Sequence, residues 1–348
     1  VNERIDRLRE LLDEPLLITN LVNVLYLTGF DSSNAALFVE PDRVRLFTDF
    51  RYIESAQAVA GEGVEVVQTA RSLMSWLGES LSGRVGFEAS VLPFSFVEQL
   101  RGAGLDLVPR QGLVEQLRAV KDAEELDAFR RACAITDRMF ERLVTEIPFV
   151  GRRERDVAWD IQRLFHEEGA EEMAFESIVG SGPTGAMPHA RAGDKLIEPG
   201  ELVVIDTGCR VGGYYSDYTR TFATGDLDGE MREAYDVVLA AQQAGLDAIR
   251  AGVTGVDADA AARNVIEASA FAGTFGHGLG HGLGLEVHEA PRLSTESPDT
   301  LAPGNVVTVE PGVYVGGRFG IRIEDDVFVT EDGLENPVRF TKDLVTVG

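Results

Sequence analysis

Lysine is nearly absent from this chain. Only Lys121, Lys195 and Lys342 occur among 348 residues, and the formal net charge is −26. Such a chain offers no basic track for phosphates, which argues against nucleic acid and anionic membrane as partners. Cysteine is scarcer still. Cys133 and Cys209 are too few for a disulfide scaffold and are expected as free thiols in a reducing cytosol. No apolar run reaches the roughly 18 residues of a transmembrane helix. The opening "VNERIDRLRE" lacks the charged-then-apolar pattern of a secretory leader and reads as the first turn of an amphipathic helix. A cytoplasmic location is therefore expected. With 44% hydrophobic and only 8% aromatic residues, the composition fits a globular α/β protein, and the length suggests two domains.

The first third alternates short apolar runs with helical patterns. "PLLITNLVNVLYLTGF" and "AALFVEPDRVRLFTD" read as strands, the second broken by a turn at Pro41-Asp42. "YIESAQAVAG" reads as a short helix, "VEVVQTA", "RVGFEA" and "LDLVPR" as further strands, with helices near 72–82 and 94–103. Apolar spacing of three and four over "LVEQLRAVKDAEELDAFRRACAITDRMFERLVTEI" predicts one or two long helices, with a domain boundary just before them, near residue 118. Beyond it a two-part rhythm appears. A helix near 153–169 leads to the strand "ELVVIDTGCR"; helices near 229–251 and 257–270 lead to "NVVTVEPGVYV". This rhythm predicts a pseudo-duplicated α/β unit.

Two pairs of acids stand at the ends of buried-looking strands. Asp206 and Asp217 flank Gly212-Gly213, a good two-residue hairpin turn. That turn sets 206 opposite 219 and 208 opposite 217, with all four side chains on one face. Asp206 and Asp217 are then diagonal neighbours, roughly 7–8 Å apart at the backbone. Two ionised acids so close in a dry site repel unless a cation lies between them. Glu310 and Glu324 flank Gly316-Gly317, but a two-residue turn there would put them on opposite faces. A three-residue loop over 316–318, or a bulge near Pro311 or Gly312, would bring them together.

Between the acid pairs lies "GHGLGHGLGLEVHE", with three of the five histidines. His277 and His281 have the spacing of a zinc-binding helix. The alternate glycines from Gly276 to Gly284 would each cost a helix about 1 kcal/mol, so the stretch is expected to be extended or looped. There the glycines let other groups approach the backbone closely.

The ordered set "VVIDTG", "SDYTRTF", "GHGLGHGLGLEVHE", "VTVEPGVY" and "GIRIED", with "SGPTGAMPHA" and the N-terminal "FTDFRYIESA", resembles the Xaa-Pro peptidase branch of the pita-bread metallopeptidases, which includes prolidase and aminopeptidase P. The resemblance implies an α/β (α+β) fold: a smaller creatinase/prolidase-like domain over 1–118, then a pita-bread catalytic domain over 119–348 with pseudo-duplicated halves. It implies a dinuclear site in which Asp206 chelates one metal, Asp217 and Glu324 bridge both, and His281 and Glu310 complete the other. His288 and His189 would contact the substrate or the tetrahedral intermediate, His277 would line the pocket, and Arg322 would brace the carboxylates. Four carboxylates and one imidazole favour two Mn²⁺ ions, with Co²⁺ or Zn²⁺ compatible. A bridging water becomes the nucleophile, and Glu310 could carry its proton to the leaving nitrogen. The expected activity is removal of an N-terminal residue that precedes proline, with a lean to aminopeptidase P. The alternative is an Xaa-Pro dipeptidase, in which Arg292 could hold the free carboxylate. A non-catalytic binding protein on the same fold is a distant third. The resemblance also implies a homodimer acting on small peptides with proline second.

Overall fold

The computed structural model describes residues 2–70 and 72–348 and divides the chain into two units, Val1–Arg118 and Ala119–Gly348. Of the amphipathic turn expected at the N-terminus, helix Asn2–Arg9 is seen, and Val1 lies outside the described residues. Six strands of the first unit form one mixed sheet. Their spatial order is Val64–Gln68, Val44–Thr48, Ala35–Val39, Leu16–Ile18, Arg84–Glu88, Asp106–Arg110. The turn at Pro41-Asp42 is closed by the Glu40 amide donating to the Arg43 carbonyl at 2.8 Å.

The first long apolar run departs from the strand expected there. Only Leu16–Ile18 is extended, and Leu21–Thr28 is a helix. An apolar run of this kind does not announce its period, so its ends decide. Asn20 caps the helix by accepting the Val22 amide, and Gly29 closes it at φ 73°. The buried Glu88 carboxylate takes the amides of Thr19 and Asn20, each at 2.7 Å, which turns the chain out of the sheet.

The second unit opens with the 24-residue helix Ala123–Glu146, started by a capping box between Asp122 and Glu125. With Glu154–Glu168 it covers a sheet of Ile178–Ser181, Leu202–Thr207 and Tyr218–Ala223, around an apolar cluster that includes Phe140, Phe165, Ile205 and Phe222. Helices Gly229–Ala248 and Gly255–Glu267 then cover a second group of strands. Their core includes Val238, Ala262, Val307 and Ile321. Two helices over strands, twice, each with its own core, is the pseudo-duplicated pita-bread architecture. Among the described residues no helix is long and apolar enough to cross a membrane.

Both acid-bearing hairpins have the register that their turns dictate. Across Gly212-Gly213, Val211 faces Tyr214, and the same register continues to Asp206 facing Thr219. In the second hairpin Val315 faces Phe319 across the three-residue loop 316–318, and Gly312 faces Arg322. Beyond it Val309 faces Asp325 in the same register. Glu310 and Glu324 therefore occupy facing positions in the gap between the two ladders. The odd loop achieves this without a bulge.

Candidate metal centre

In that gap the main chains of Glu310 and Glu324 turn outward. The Glu310 amide donates to Leu279 O at 2.8 Å, on the glycine-histidine stretch, and the Glu324 amide donates to Thr219 O at 3.1 Å, on the first hairpin. Strands from both halves thus meet at the acids. Ligand atoms of Asp217, His281 and Glu324 all lie within 4.8 Å of one another. His281 Nε2 is 3.8 Å from Asp217 Oδ2 and 3.5 Å from Glu310 Oε1. Asp206 joins through Arg322, whose Nη2 donates to Asp206 Oδ2 at 2.6 Å. The structure brings all five candidate ligands, Asp206, Asp217, His281, Glu310 and Glu324, to one buried place.

The glycines explain how the histidine stretch fits. Residues 280–282 form a short strand, and none of its glycines has positive φ. They serve close approach instead. A Cβ on Gly280 would lie 2.0 Å from Thr308 O, and one on Gly282 would lie 2.1 Å from Ala290 O. His281 is thereby pressed between two neighbouring strands. Its Nδ1 sits 3.0 Å from Gly282 O and donates to it, so the lone pair of Nε2 faces the acids.

Electrostatics make this a site for a cation. Burial, and then the charge of Asp206, pushes the Asp217 carboxyl well above its usual range. Burial and Asp217 do the same to Glu324, and burial raises Glu310 to about 8. Burial lowers His281 to about 4, which keeps its imidazole neutral and ready to ligate. Asp206 Oδ1 is buried without a hydrogen-bond partner. Mutually repelling acids, a neutral imidazole and an orphaned carboxylate oxygen are the donor set that a divalent metal satisfies.

Around the acids runs a hydrogen-bond chain that the sequence reading covered only at Arg322 and His277. Arg322 Nε donates to Thr219 Oγ1 at 2.9 Å, and that hydroxyl donates to Glu324 Oε2 at 2.6 Å. Arg322 Nη1 donates to Tyr314 Oη at 2.9 Å, and Tyr314 in turn meets His277 Nε2 at 2.9 Å. Thr308 Oγ1 accepts the His281 amide and donates to Glu310 Oε1, each at 3.1 Å. Tyr314, Thr219 and Thr308 were missed as individuals, although all three lie beside the acids in the quoted motifs. Asp326, the third acid of "IEDD", was missed too; its Oδ2 accepts the Asp217 amide at 2.9 Å.

The remaining candidates stand at the rim. His288 is exposed, with its ring centroid 4.3 Å from that of His281. His189 is exposed, on a segment tied down where Arg322 Nη1 donates to Pro188 O at 3.4 Å. Arg292 lies on strand Glu289–Leu293, exposed between the buried Pro291 and Leu293. Burial lowers the His288 pKa, and the Arg292 charge adds to the effect.

Comparison with known proteins agrees with this geometry. The model of metallopeptidase family M24 matches residues 127–331, and that of the creatinase/prolidase N-terminal domain matches residues 4–120. The chain is 32% identical to the Xaa-Pro dipeptidase of Pyrococcus horikoshii, over 99% of either protein. Its fold superposes on a structure described as an Xaa-Pro dipeptidase from Bacillus anthracis with a TM-score of 0.96, at 37% identity over 99% of each chain. Against the X-Pro aminopeptidase of Thermotoga maritima the TM-score is 0.89, at 33% identity, over 98% of this chain and 100% of the other. The chain belongs to metallopeptidase family M24 and carries a creatinase/prolidase N-terminal domain; it is a metallo-exopeptidase that requires divalent metal and acts on peptides.

Proposed function

We propose that this chain is an Xaa-Pro dipeptidase. The lean to aminopeptidase P is corrected in favour of the alternative, because the similarity to named Xaa-Pro dipeptidases is the stronger. The observation that carries the reading is the convergence of Asp217, His281 and Glu324 within 4.8 Å, with Glu310 and Asp206 beside them.

Asp206, Asp217, Glu324, His281 and Glu310 would hold two divalent ions, with Mn²⁺ preferred and Co²⁺ or Zn²⁺ compatible, which supply the Lewis acidity that makes water nucleophilic near neutral pH. Glu310 takes the proton of that water and delivers it to the proline nitrogen as the amide bond breaks. His288 and His189 donate to the carbonyl oxygen as it becomes anionic. His277, held through Tyr314, lines the pocket. Arg322 keeps Asp206 aimed inward. Arg292, exposed on strand Glu289–Leu293, binds the carboxylate of the departing proline. By family resemblance the protein works as a cytoplasmic homodimer, in keeping with two buried free cysteines.

The test compares kcat/KM on Xaa-Pro and Xaa-Pro-Yaa after chelation and re-addition of single metals. A preference for the dipeptide, restored by Mn²⁺, is expected. A clear preference for the longer peptide would return the assignment to aminopeptidase P.

A further inference from the structure

Asp217 lies where its hairpin loses its ladder. The strands Tyr214–Tyr215 and Tyr218–Ala223 stop on either side of Ser216 and Asp217. Opposite them Gly208 is approached so closely that a Cβ there would lie 1.7 Å from Ser216 O. The Ser216 amide keeps its ladder bond to Cys209 O at 2.9 Å, whereas the Asp217 amide leaves the ladder for a side chain. Ser216 Oγ is 2.8 Å from Thr136 Oγ1, and the Asp217 amide donates to Asp326 Oδ2 at 2.9 Å. Asp326 is fully buried and also accepts from Cys133 Sγ at 3.6 Å. Its second oxygen, Oδ1, is buried with no partner at all.

An unpartnered buried oxygen costs stability, so fold stability alone does not account for a carboxylate here. We propose that Asp326 is a positioning residue for the metal centre: it fixes the main chain of Asp217 at the break in the ladder and so sets the angle at which the Asp217 carboxylate meets the ion. The proposal rests on Asp217 being a metal ligand. Partners behind metal ligands commonly contribute tenfold to a hundredfold in metal affinity.

Two shape-keeping variants separate positioning from stability. Asp326→Leu keeps the branched outline and removes the acceptor. Asp326→Asn keeps the acceptor and removes the charge. Mn²⁺ affinity is measured by calorimetry on the full chain, together with the melting temperature of the metal-free protein. The expected result is Mn²⁺ binding at least about tenfold weaker in Asp326→Leu and near that of the parent in Asp326→Asn, with the metal-free melting temperatures close to the parent's. Parent-like affinity in Asp326→Leu would overturn the proposal, and so would equal weakening in both variants. Should Asp326→Leu not fold, a tenfold loss in Asp326→Asn alone has the same force. Asp217→Ala, measured alongside, tells the two readings apart. Mn²⁺ retained there removes the ligand assignment itself; Mn²⁺ lost there but kept in Asp326→Leu removes only the role of Asp326.

Discussion

Arg322 and Asp206 form a buried ion pair, Nη2 to Oδ2 at 2.6 Å, with side chains 4% and 13% exposed. The same guanidinium also donates to Thr219 and Tyr314. One rigid fork thus orients an acid, a threonine that touches a second acid, and the tyrosine beside His277. A lysine has the charge without the fork. Arg322→Lys is therefore expected to weaken metal binding by about tenfold or more, nearly as much as Arg322→Met. Metal titration of both variants checks this, and full rescue by lysine would refute it.

Removing a ligand should be harsher. Asp217→Ala is expected to lose bound metal and to lower kcat by at least about three orders of magnitude, since a metal's charge stabilisation amounts to several kcal/mol. Circular dichroism should remain that of the parent. Near-normal turnover would end the dinuclear reading.

The acids also predict a pH signature. In the metal-free protein burial raises Glu310 from 4.5 to about 8. Between those values the folded state binds more protons than the unfolded state, so stability falls with rising pH. The contribution is complete below the unfolded value and is lost through the folded one. The metal-free melting temperature should decline across this window, whereas the metal-loaded protein, its acids already deprotonated, should hold steady. Apparent metal affinity should rise about tenfold per pH unit for each proton released. A metal-free melting temperature that climbs over the window would contradict the assignment.

Arg292→Ala addresses substrate choice. A hydrogen bond to a charged group is worth about 1.5–3 kcal/mol, so kcat/KM on an Xaa-Pro dipeptide should fall by roughly tenfold to a hundredfold. Hydrolysis of a longer Xaa-Pro peptide amide, which carries no carboxylate there, should change little. Equal losses on both substrates would remove Arg292 from the carboxylate site.

Gly280→Ala probes packing. Its Cβ would meet Thr308 O at 2.0 Å. Forcing a methyl into a packed interior costs about 1–3 kcal/mol or more, and here the strain falls on His281. Lower melting temperature together with weaker metal binding is expected from thermal and calorimetric measurements.

The hairpins were legible because a strand has period two and a turn has a length. Gly212-Gly213 was enough to pair Asp206 with Thr219, and the parity of the second hairpin was enough to require an odd loop or a bulge, of which the structure has the three-residue loop between Val315 and Phe319. The histidine stretch was legible in the negative, since glycines at alternate positions forbid a helix. The run at 15–30 was not legible, because its period is ambiguous and its turning point depends on Glu88, some seventy positions away. Tyr314 and Asp326 were hidden for a similar reason. Their partners, His277 and Asp217, come from distant segments, and nothing local marks a tyrosine or a third acid as different from its neighbours.

The pseudo-duplicated halves contribute unequally to the acid cluster. The first carries Asp206 and Asp217; the second carries His281, Glu310 and Glu324. Neither set makes a closed coordination shell, and the only candidate imidazole ligand belongs to the second. The two similar units are thus indivisible at the site. Each half holds a part of the receptor that is meaningless alone, and an ion in the middle would act as a clasp across the seam, rewarding the two halves only when both are folded and in register.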